Sequence, residues 1–159
     1  MGTRRRLAAL GTVVATLGGA AQLAQGAAND CPKVFNAAIH YQLAAPPACT
    51  GPICTFVFEG SGGSTLGRVT DTLTVVQNFA STPCSTFTSE HTFSFEAGTL
   101  SSVQSGTVCA TPGGVPIING TGPITGGTGA LATTSGTLTS EGVIGPKGPV
   151  VRFHGTLDC

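Results

Sequence analysis

The segment Phe87-Thr88-Ser89-Glu90-His91-Thr92-Phe93-Ser94-Phe95 carries the clearest structural signal of the chain. One face of the segment would present three phenylalanines together with Ser89 and His91, and the other face only threonine, serine and glutamate. Alternation with a period of two residues is typical of a half-buried β-strand. The segment therefore predicts a strand with one aromatic, inward-facing side.

Similar alternation recurs along the chain and predicts seven or eight strands with short connections. The expected strands cover about 35–43, 53–59, 65–77, 87–95, 99–109, a start at 115–118, 136–143 and 150–157. The glycine-rich segment 60–64 is expected to be a turn or flexible loop because glycine is typical of turns. A second glycine-rich segment, 120–129, follows the strand that starts at 115–118. This spacing predicts an all-β fold, a small antiparallel eight-stranded β-barrel, with a β-sandwich as the alternative.

The composition agrees with this class and excludes others. The chain has 159 residues, 24 glycines and no tryptophan, and 9% of its residues are charged. Residues that favour helices are scarce, which argues against a helical bundle. An apolar fraction of 40% is too high for a disordered chain. A formal net charge of zero argues against nucleic acid as a partner.

The N-terminus predicts a secretory signal peptide over residues 1–28. Three arginines at positions 4–6 precede a short apolar run, and small residues follow near Gly26 and Ala28. The run is shorter than the roughly 20 residues that span a bilayer, so no stable membrane span is expected, although an uncleaved anchor is the alternative. Residues 29–159 would then form one secreted domain, extracellular or periplasmic. Its four basic and seven acidic side chains give a net charge of −3.

Six cysteines lie after the predicted leader, an even number that predicts three disulfides in a small secreted domain. Sequence alone leaves all 15 pairings open. Position favours a bond between the two ends, one around a short turn and one across a hairpin, namely Cys31–Cys159, Cys49–Cys54 and Cys84–Cys109. Closely spaced Cys or His pairs of the kind that bind zinc are absent, so no metal and no cofactor are expected.

A glycine-rich motif supports a family resemblance. Residues 122–138 read GPITGGTGALATTSGTL, and residues 93–100 read FSFEAGTL. These segments resemble allene oxide cyclases and dirigent proteins, in particular secreted bacterial members of that superfamily. The resemblance implies an eight-stranded barrel with an apolar lumen, often assembled as a homotrimer. The acidic pair of dirigent proteins and the early Glu- and Arg-rich segment of plant cyclases are missing, so those activities are not implied.

Alternation places several polar and aromatic side chains on faces that would line a lumen. Asp71 and His91 are the candidate catalytic residues, since a carboxylate or an imidazole in an apolar cavity can transfer protons. Asp71 could instead face outward or pair with Arg68, and His91 could be a hydrogen-bonded core residue. Tyr41, Phe93 and Phe95 are the candidate ligand-binding residues, with a plain core position as the alternative for Tyr41.

Common catalytic motifs are absent from the sequence. No Ser-His-Asp order stands out, and there is no Gly-x-Ser-x-Gly segment, paired-carboxylate signature or histidine cluster. Three functions therefore remain open. They are a barrel that binds a small apolar molecule, a cyclase- or isomerase-like enzyme acting on a hydrophobic substrate in the lumen, and an extracellular structural or interaction module with a filled barrel.

Overall fold

The computed structural model describes residues 33–159 and contains a closed antiparallel barrel of eight strands with one short strand outside it. The strands are β1 (Lys33–Leu43), β2 (Ala48–Thr50), β3 (Ile53–Ser64), β4 (Gly67–Asn78), β5 (Cys84–Phe95), β6 (Gly98–Cys109), β7 (Ile117–Gly127), β8 (Ser135–Gly145) and β9 (Gly148–Asp158). One 3₁₀ turn spans Gly129–Leu131. The predicted eight-stranded barrel is confirmed, and the sandwich alternative is not adopted.

The barrel closes through its first long strand. From β3 to β9 each strand pairs with the next one in sequence, and β1 pairs with both β9 and β3. The outside strand β2 pairs with the beginning of β3, where β1 has already ended. A closed sheet of this kind leaves no long unpaired edge.

Alternation along the strands separates the interior from the surface, as the sequence predicts. In β5, Ser85, Phe87, Ser89, His91 and Phe93 are buried, and the residues between them from Thr86 to Thr92 are exposed. The inward residues of β1 and β4 are buried in the same way. The resulting core is mainly aliphatic and aromatic, and its fully buried large side chains include Phe35, Ile39, Tyr41, Phe93, Leu100, Leu138 and Phe153.

The prediction of a turn or loop over residues 60–64 is wrong, and the second glycine-rich segment is also largely strand. Residues 60–64 form the second half of β3, and residues 120–127 belong to β7. Glycine serves close approach between neighbouring strands in these places. A Cβ atom on Gly62 would overlap the carbonyl oxygen of Ala38 on β1, and one on Gly122 would overlap that of Val103 on β6. Both segments therefore stay extended at positions where a side chain would force the neighbouring strands apart.

The two ends of the barrel differ. At one end, which we call the closed end, Phe35, Phe93, Phe95 and Phe153 pack together, with ring centroids of neighbouring pairs 5.1–6.1 Å apart. The opposite end, the mouth, is surrounded by the connections after β1, β4, β6 and β8. Among the described residues no helix is long and apolar enough to cross a membrane.

Disulfides reinforce the mouth. Cys49 is bonded to Cys54, which ties β2 to β3, and Cys84 is bonded to Cys109, which ties the start of β5 to the end of β6. These are two of the three pairs that position favours. Cys31 and the predicted signal peptide lie outside the described residues, so the bond from Cys31 to Cys159 stays a prediction.

Candidate functional site

A chain of buried hydrogen bonds crosses the inside of the barrel. The Tyr41 hydroxyl donates to Asp71 Oδ2 at 2.6 Å, and Nδ1 of His91 lies 2.7 Å from the same oxygen. On the other side of the imidazole, Ser89 Oγ lies 3.1 Å from Nε2. All four residues are at most 6% exposed. The fold thus places a serine, a histidine and an aspartate in consecutive hydrogen-bond contact.

Strand register explains why Tyr41 reaches Asp71. In the sheet, Tyr41 on β1 lies opposite Gly60 on β3, and Gly60 lies opposite Asp71 on β4. A side chain on Gly60 would run into the Tyr41 ring, with a Cβ-to-ring distance of 2.6 Å. Because this inward position carries no side chain, the phenol crosses one strand and meets the carboxylate.

The contacts of His91 favour one tautomer of its neutral imidazole. An ionised carboxylate only accepts hydrogen bonds, so Nδ1 of His91 carries the proton that Asp71 Oδ2 receives. In the neutral imidazole Nε2 is then the unprotonated nitrogen, and it accepts the hydrogen bond from Ser89 Oγ. This is the arrangement in which a histidine acts as a base toward a serine hydroxyl.

Aromatic rings hold the imidazole in place. The rings of His91 and Phe93 are stacked, with centroids 5.2 Å apart and an interplanar angle of 8°. The Phe153 ring meets the imidazole edge-on, also at 5.2 Å. His91 therefore lies directly above the aromatic packing of the closed end, with Ser89 on its mouth side along β5.

Burial and the contact with Asp71 change the pKa of Tyr41. Burial, followed by the negative charge of Asp71 and their hydrogen bond, raises the pKa of Tyr41 well above its ordinary value. The phenol consequently stays protonated and donates its hydrogen bond over the physiological pH range. The second carboxylate oxygen, Asp71 Oδ1, has no hydrogen-bond partner within residues 33–159.

Two adjoining cavities lead from the mouth toward His91. The mouth cavity has a volume of about 870 Å³, and its wall includes Leu43, Phe56, Phe58, Gln77, Phe79, Val108, Pro116, Ile144 and Pro149. The inner cavity has about 70 Å³, and its wall includes Ser89, His91, Phe87, Ile118, Ser140, Val151 and Phe153. Five residues border both cavities, namely Phe58, Gln77, Val108, Ile144 and Pro149.

The candidate site residues fall into different layers of this interior. His91 borders the inner cavity, whereas Asp71 and Tyr41 lie behind it and border neither cavity. Asp71 faces inward, as one reading of the sequence proposed, and it contacts Tyr41 and His91 rather than Arg68. Phe93 and Phe95 pack at the closed end and border neither of these two cavities, so their contact with a ligand stays a prediction.

Sequence reasoning overlooked Ser89 as a functional residue, although alternation places it on the same face as His91. The sequence contains none of the familiar Ser-His-Asp orders, as expected, but the fold brings a serine, a histidine and an aspartate together. Asp71, Ser89 and His91 come together because β4 and β5 are neighbouring strands. The available signal was that Ser89 and His91 are two positions apart on β5 and therefore share one face.

A second buried polar pair lies beside Ser89. Gln104 on β6 is directly opposite Ser89 in the register and is fully buried. Its carbonyl oxygen accepts a hydrogen bond of 2.8 Å from the Ser140 hydroxyl, across the gap left by Gly120. Its amide nitrogen Nε2 has no hydrogen-bond partner among the described residues. A buried N–H donor is thus held next to Ser89 with its hydrogen-bonding capacity unused.

Metal binding has no support in the described part of the chain. Between residues 33 and 159, no group of three or more His, Cys, Asp or Glu side chains could hold a metal ion.

The chain was compared with known protein families, proteins and structures. No family model, no curated protein and no solved structure matches the chain.

Proposed function

We propose that the barrel binds a small, mainly apolar molecule, which occupies the mouth cavity and extends one end into the inner cavity. The observation that carries this proposal is the mouth cavity of about 870 Å³ at one end of the barrel. Its size lies within the roughly 300–1,000 Å³ of pockets that hold small ligands. A barrel filled along its whole length would have no such space.

The wall of the mouth cavity favours an apolar ligand. Aromatic rings of Phe56, Phe58 and Phe79 line it together with prolines and aliphatic side chains. Phe79 is 46% exposed and Leu43 is 52% exposed, so apolar surface here contacts water when the cavity holds no ligand. Covering such surface gains roughly 25 cal/mol per Å².

A few polar groups along the path favour a ligand with one hydrogen-bonding group. Gln77 borders both cavities and donates to Ser85 at 2.6 Å near the mouth. Ser89 and His91 border the inner cavity. In apolar pockets, a small number of polar groups commonly orients the ligand.

The proposal keeps the cyclase- or isomerase-like enzyme as the second candidate and disfavours the filled structural module. The buried Asp71–His91 contact favours the enzyme because it supplies a polarised imidazole beside a cavity. The module is disfavoured because none of the buried core residues lines the mouth cavity, which is left open.

The test is fluorescence titration with N-phenyl-1-naphthylamine, an apolar dye that brightens in apolar sites. We expect saturable binding to the wild-type protein at one site per chain. Ile144→Trp places an indole between the two cavities and should weaken the binding about tenfold or more, which corresponds to about 1.4 kcal/mol.

Val143→Trp is the matched control for this variant. Val143 is the neighbouring residue on β8, faces outward and is 42% exposed, so its indole should leave the dye affinity unchanged. Equal affinity of the two variants, or absence of saturable binding to wild type, would contradict the proposal. Circular dichroism confirms that both variants are folded.

Several broader expectations remain predictions. Secretion agrees with the disulfides of the mouth, since such bonds persist in oxidising compartments. The resemblance to allene oxide cyclases and dirigent proteins agrees with the eight-stranded barrel. A homotrimer is expected only through that resemblance, and sedimentation of the secreted protein would test it.

A further inference from the structure

We propose that Ser89 is a nucleophile and that the inner cavity catalyses acyl transfer from small esters to water. The inference rests on the proposed function insofar as a substrate reaches Ser89 through the mouth cavity. Three observations support the proposal. They are the Asp71–His91–Ser89 hydrogen-bond chain, the inner cavity that Ser89 and His91 border, and the unpaired amide donor of Gln104.

The base and its orientation are already in place. His91 Nε2 lies 3.1 Å from Ser89 Oγ, within the range in which a histidine removes a hydroxyl proton. Asp71 Oδ2 receives the proton of Nδ1 at 2.7 Å and thereby holds the tautomer that leaves Nε2 free. Asp71 is a positioning residue here, because it contacts the imidazole and borders neither cavity.

Gln104 supplies what the hydrogen-bond chain lacks. Attack on an ester turns the carbonyl oxygen into an oxyanion, which needs an N–H or O–H donor nearby. Gln104 lies directly opposite Ser89 on β6 and behind the wall of the inner cavity, and because Ser140 holds its carbonyl group, its Nε2 donor remains unused. A buried donor without a partner lowers stability, and stabilising a developing charge is a reason to retain it.

The cavity dimensions define the substrate class. One water needs roughly 10–15 Å³ of free volume. The inner cavity of about 70 Å³ therefore accepts a group of a few heavy atoms, such as a short acyl chain. The mouth cavity of about 870 Å³ accepts the larger, apolar alcohol part of the ester.

The reaction balances without a cofactor. Ser89 Oγ bonds to the carbonyl carbon while His91 Nε2 takes its proton, and the bond to the alcohol oxygen breaks as that oxygen receives the proton. Water then attacks the acyl-serine and gives a proton to His91. The bond from the acyl group to Oγ breaks, Ser89 regains a proton, and the carboxylic acid leaves.

The test uses p-nitrophenyl acetate with the full oxidised protein. Release of p-nitrophenolate is followed by absorbance, and peptides are mapped by mass spectrometry. We expect an acetyl group on Ser89 and loss of it in Ser89→Ala. Asp71→Asn should slow acetylation roughly 10²–10⁴-fold, since the amide reverses the histidine tautomer. Gln104→Met keeps the approximate shape but removes the amide donor, together with the acceptor of the Ser140 hydroxyl, and should slow it roughly 10²–10³-fold.

Ser102→Ala is the matched control. Ser102 is as buried as Ser89 and lies opposite His91 in the strand register, but its hydroxyl donates to the backbone carbonyl of Pro123 and not to the imidazole, so its removal should leave the rate unchanged. Acetyl groups confined to lysines or the α-amino group, or equal rates in Ser89→Ala and wild type, would overturn the inference.

Dye binding separates the two proposals. Binding of N-phenyl-1-naphthylamine without acetylation of Ser89 would overturn the acyl-transfer inference and leave the proposed function standing. Acetylation of Ser89 without dye binding would support acyl transfer and contradict an apolar binding site at the mouth.

Discussion

One carboxylate oxygen organises the interior at the scale of single residues. Asp71 Oδ2 accepts hydrogen bonds from both Tyr41 and His91, which come from two different strands. The price of burying this charge is partly offset by the two bonds, since each hydrogen bond to a charged group contributes about 1.5–3 kcal/mol. Tyr41 and Asp71 thus position the imidazole without bordering the cavities themselves.

Tyr41 offers a direct test of this network because the chain contains one tyrosine and no tryptophan. Its pKa is raised in the folded protein, so folding favours the neutral phenol. The resulting stabilisation is complete below the unfolded pKa of about 10 and is lost as the pH rises above it. We expect the tyrosinate absorbance of the folded protein to remain absent near pH 10 and to develop only at higher pH or on unfolding.

The reference for this titration is the same protein in guanidinium chloride, where the phenol should ionise near its ordinary pKa of about 10. Tyr41→Phe removes the signal and identifies it. Half-ionisation of the folded protein near pH 10 would contradict a buried phenol bonded to Asp71.

Sequence alternation could predict that Tyr41, Asp71 and His91 face inward, but not that they touch. Tyr41 and Asp71 are 30 residues apart, and Asp71 and His91 are 20 apart. Their contact depends on the register between strands and on the missing side chain of Gly60. Period-two alternation contains no information on strand register or on contacts between strands. Ser89 could therefore not be distinguished from an ordinary serine of a strand.

At the scale of elements, strands rich in threonine and phenylalanine could be predicted and strands rich in glycine could not. In β5, alternation and strand propensity agree. In β3 and β7, glycine signals a turn by composition, while its structural role is to let two backbones approach. The distinction depends on the neighbouring strand, which a local pattern does not contain.

The pairing of β1 with β3, which we call the seam, allows a test of whether glycine is needed for the close approach of two strands. Gly62→Ala should destabilise the protein by about 1–3 kcal/mol, because the new Cβ overlaps the Ala38 carbonyl and forces the strands apart. Urea unfolding of the oxidised protein measures the change.

The neighbouring residue Gly63 is the matched control. A Cβ atom there meets nothing within 4 Å, so Gly63→Ala should change the free energy of unfolding by less than about 0.5 kcal/mol. Equal effects of the two substitutions would show that close approach at Gly62 does not hold the seam together.

At the scale of the whole molecule, the barrel has a packed half and an accessible half. Aromatic packing fills the closed end, and the cavities occupy the half toward the mouth, where both described disulfides lie. The all-β class and the eight strands of the barrel followed from sequence spacing, whereas the short outside strand β2 did not. Which half is filled did not, because it depends on how inward side chains from eight strands share one interior.

Ligand binding in the barrel requires that an apolar molecule enters this accessible half. Methyl NMR of the wild-type protein titrated with 1-octanol measures this directly. We predict saturable shifts for methyl groups that border the inner cavity and none for exposed ones, the first set being Val108, Ile118, Ile144 and Val151 and the second Val34, Val76, Val103 and Val143. Absence of shifts in the first set, or equal shifts in both, would contradict it.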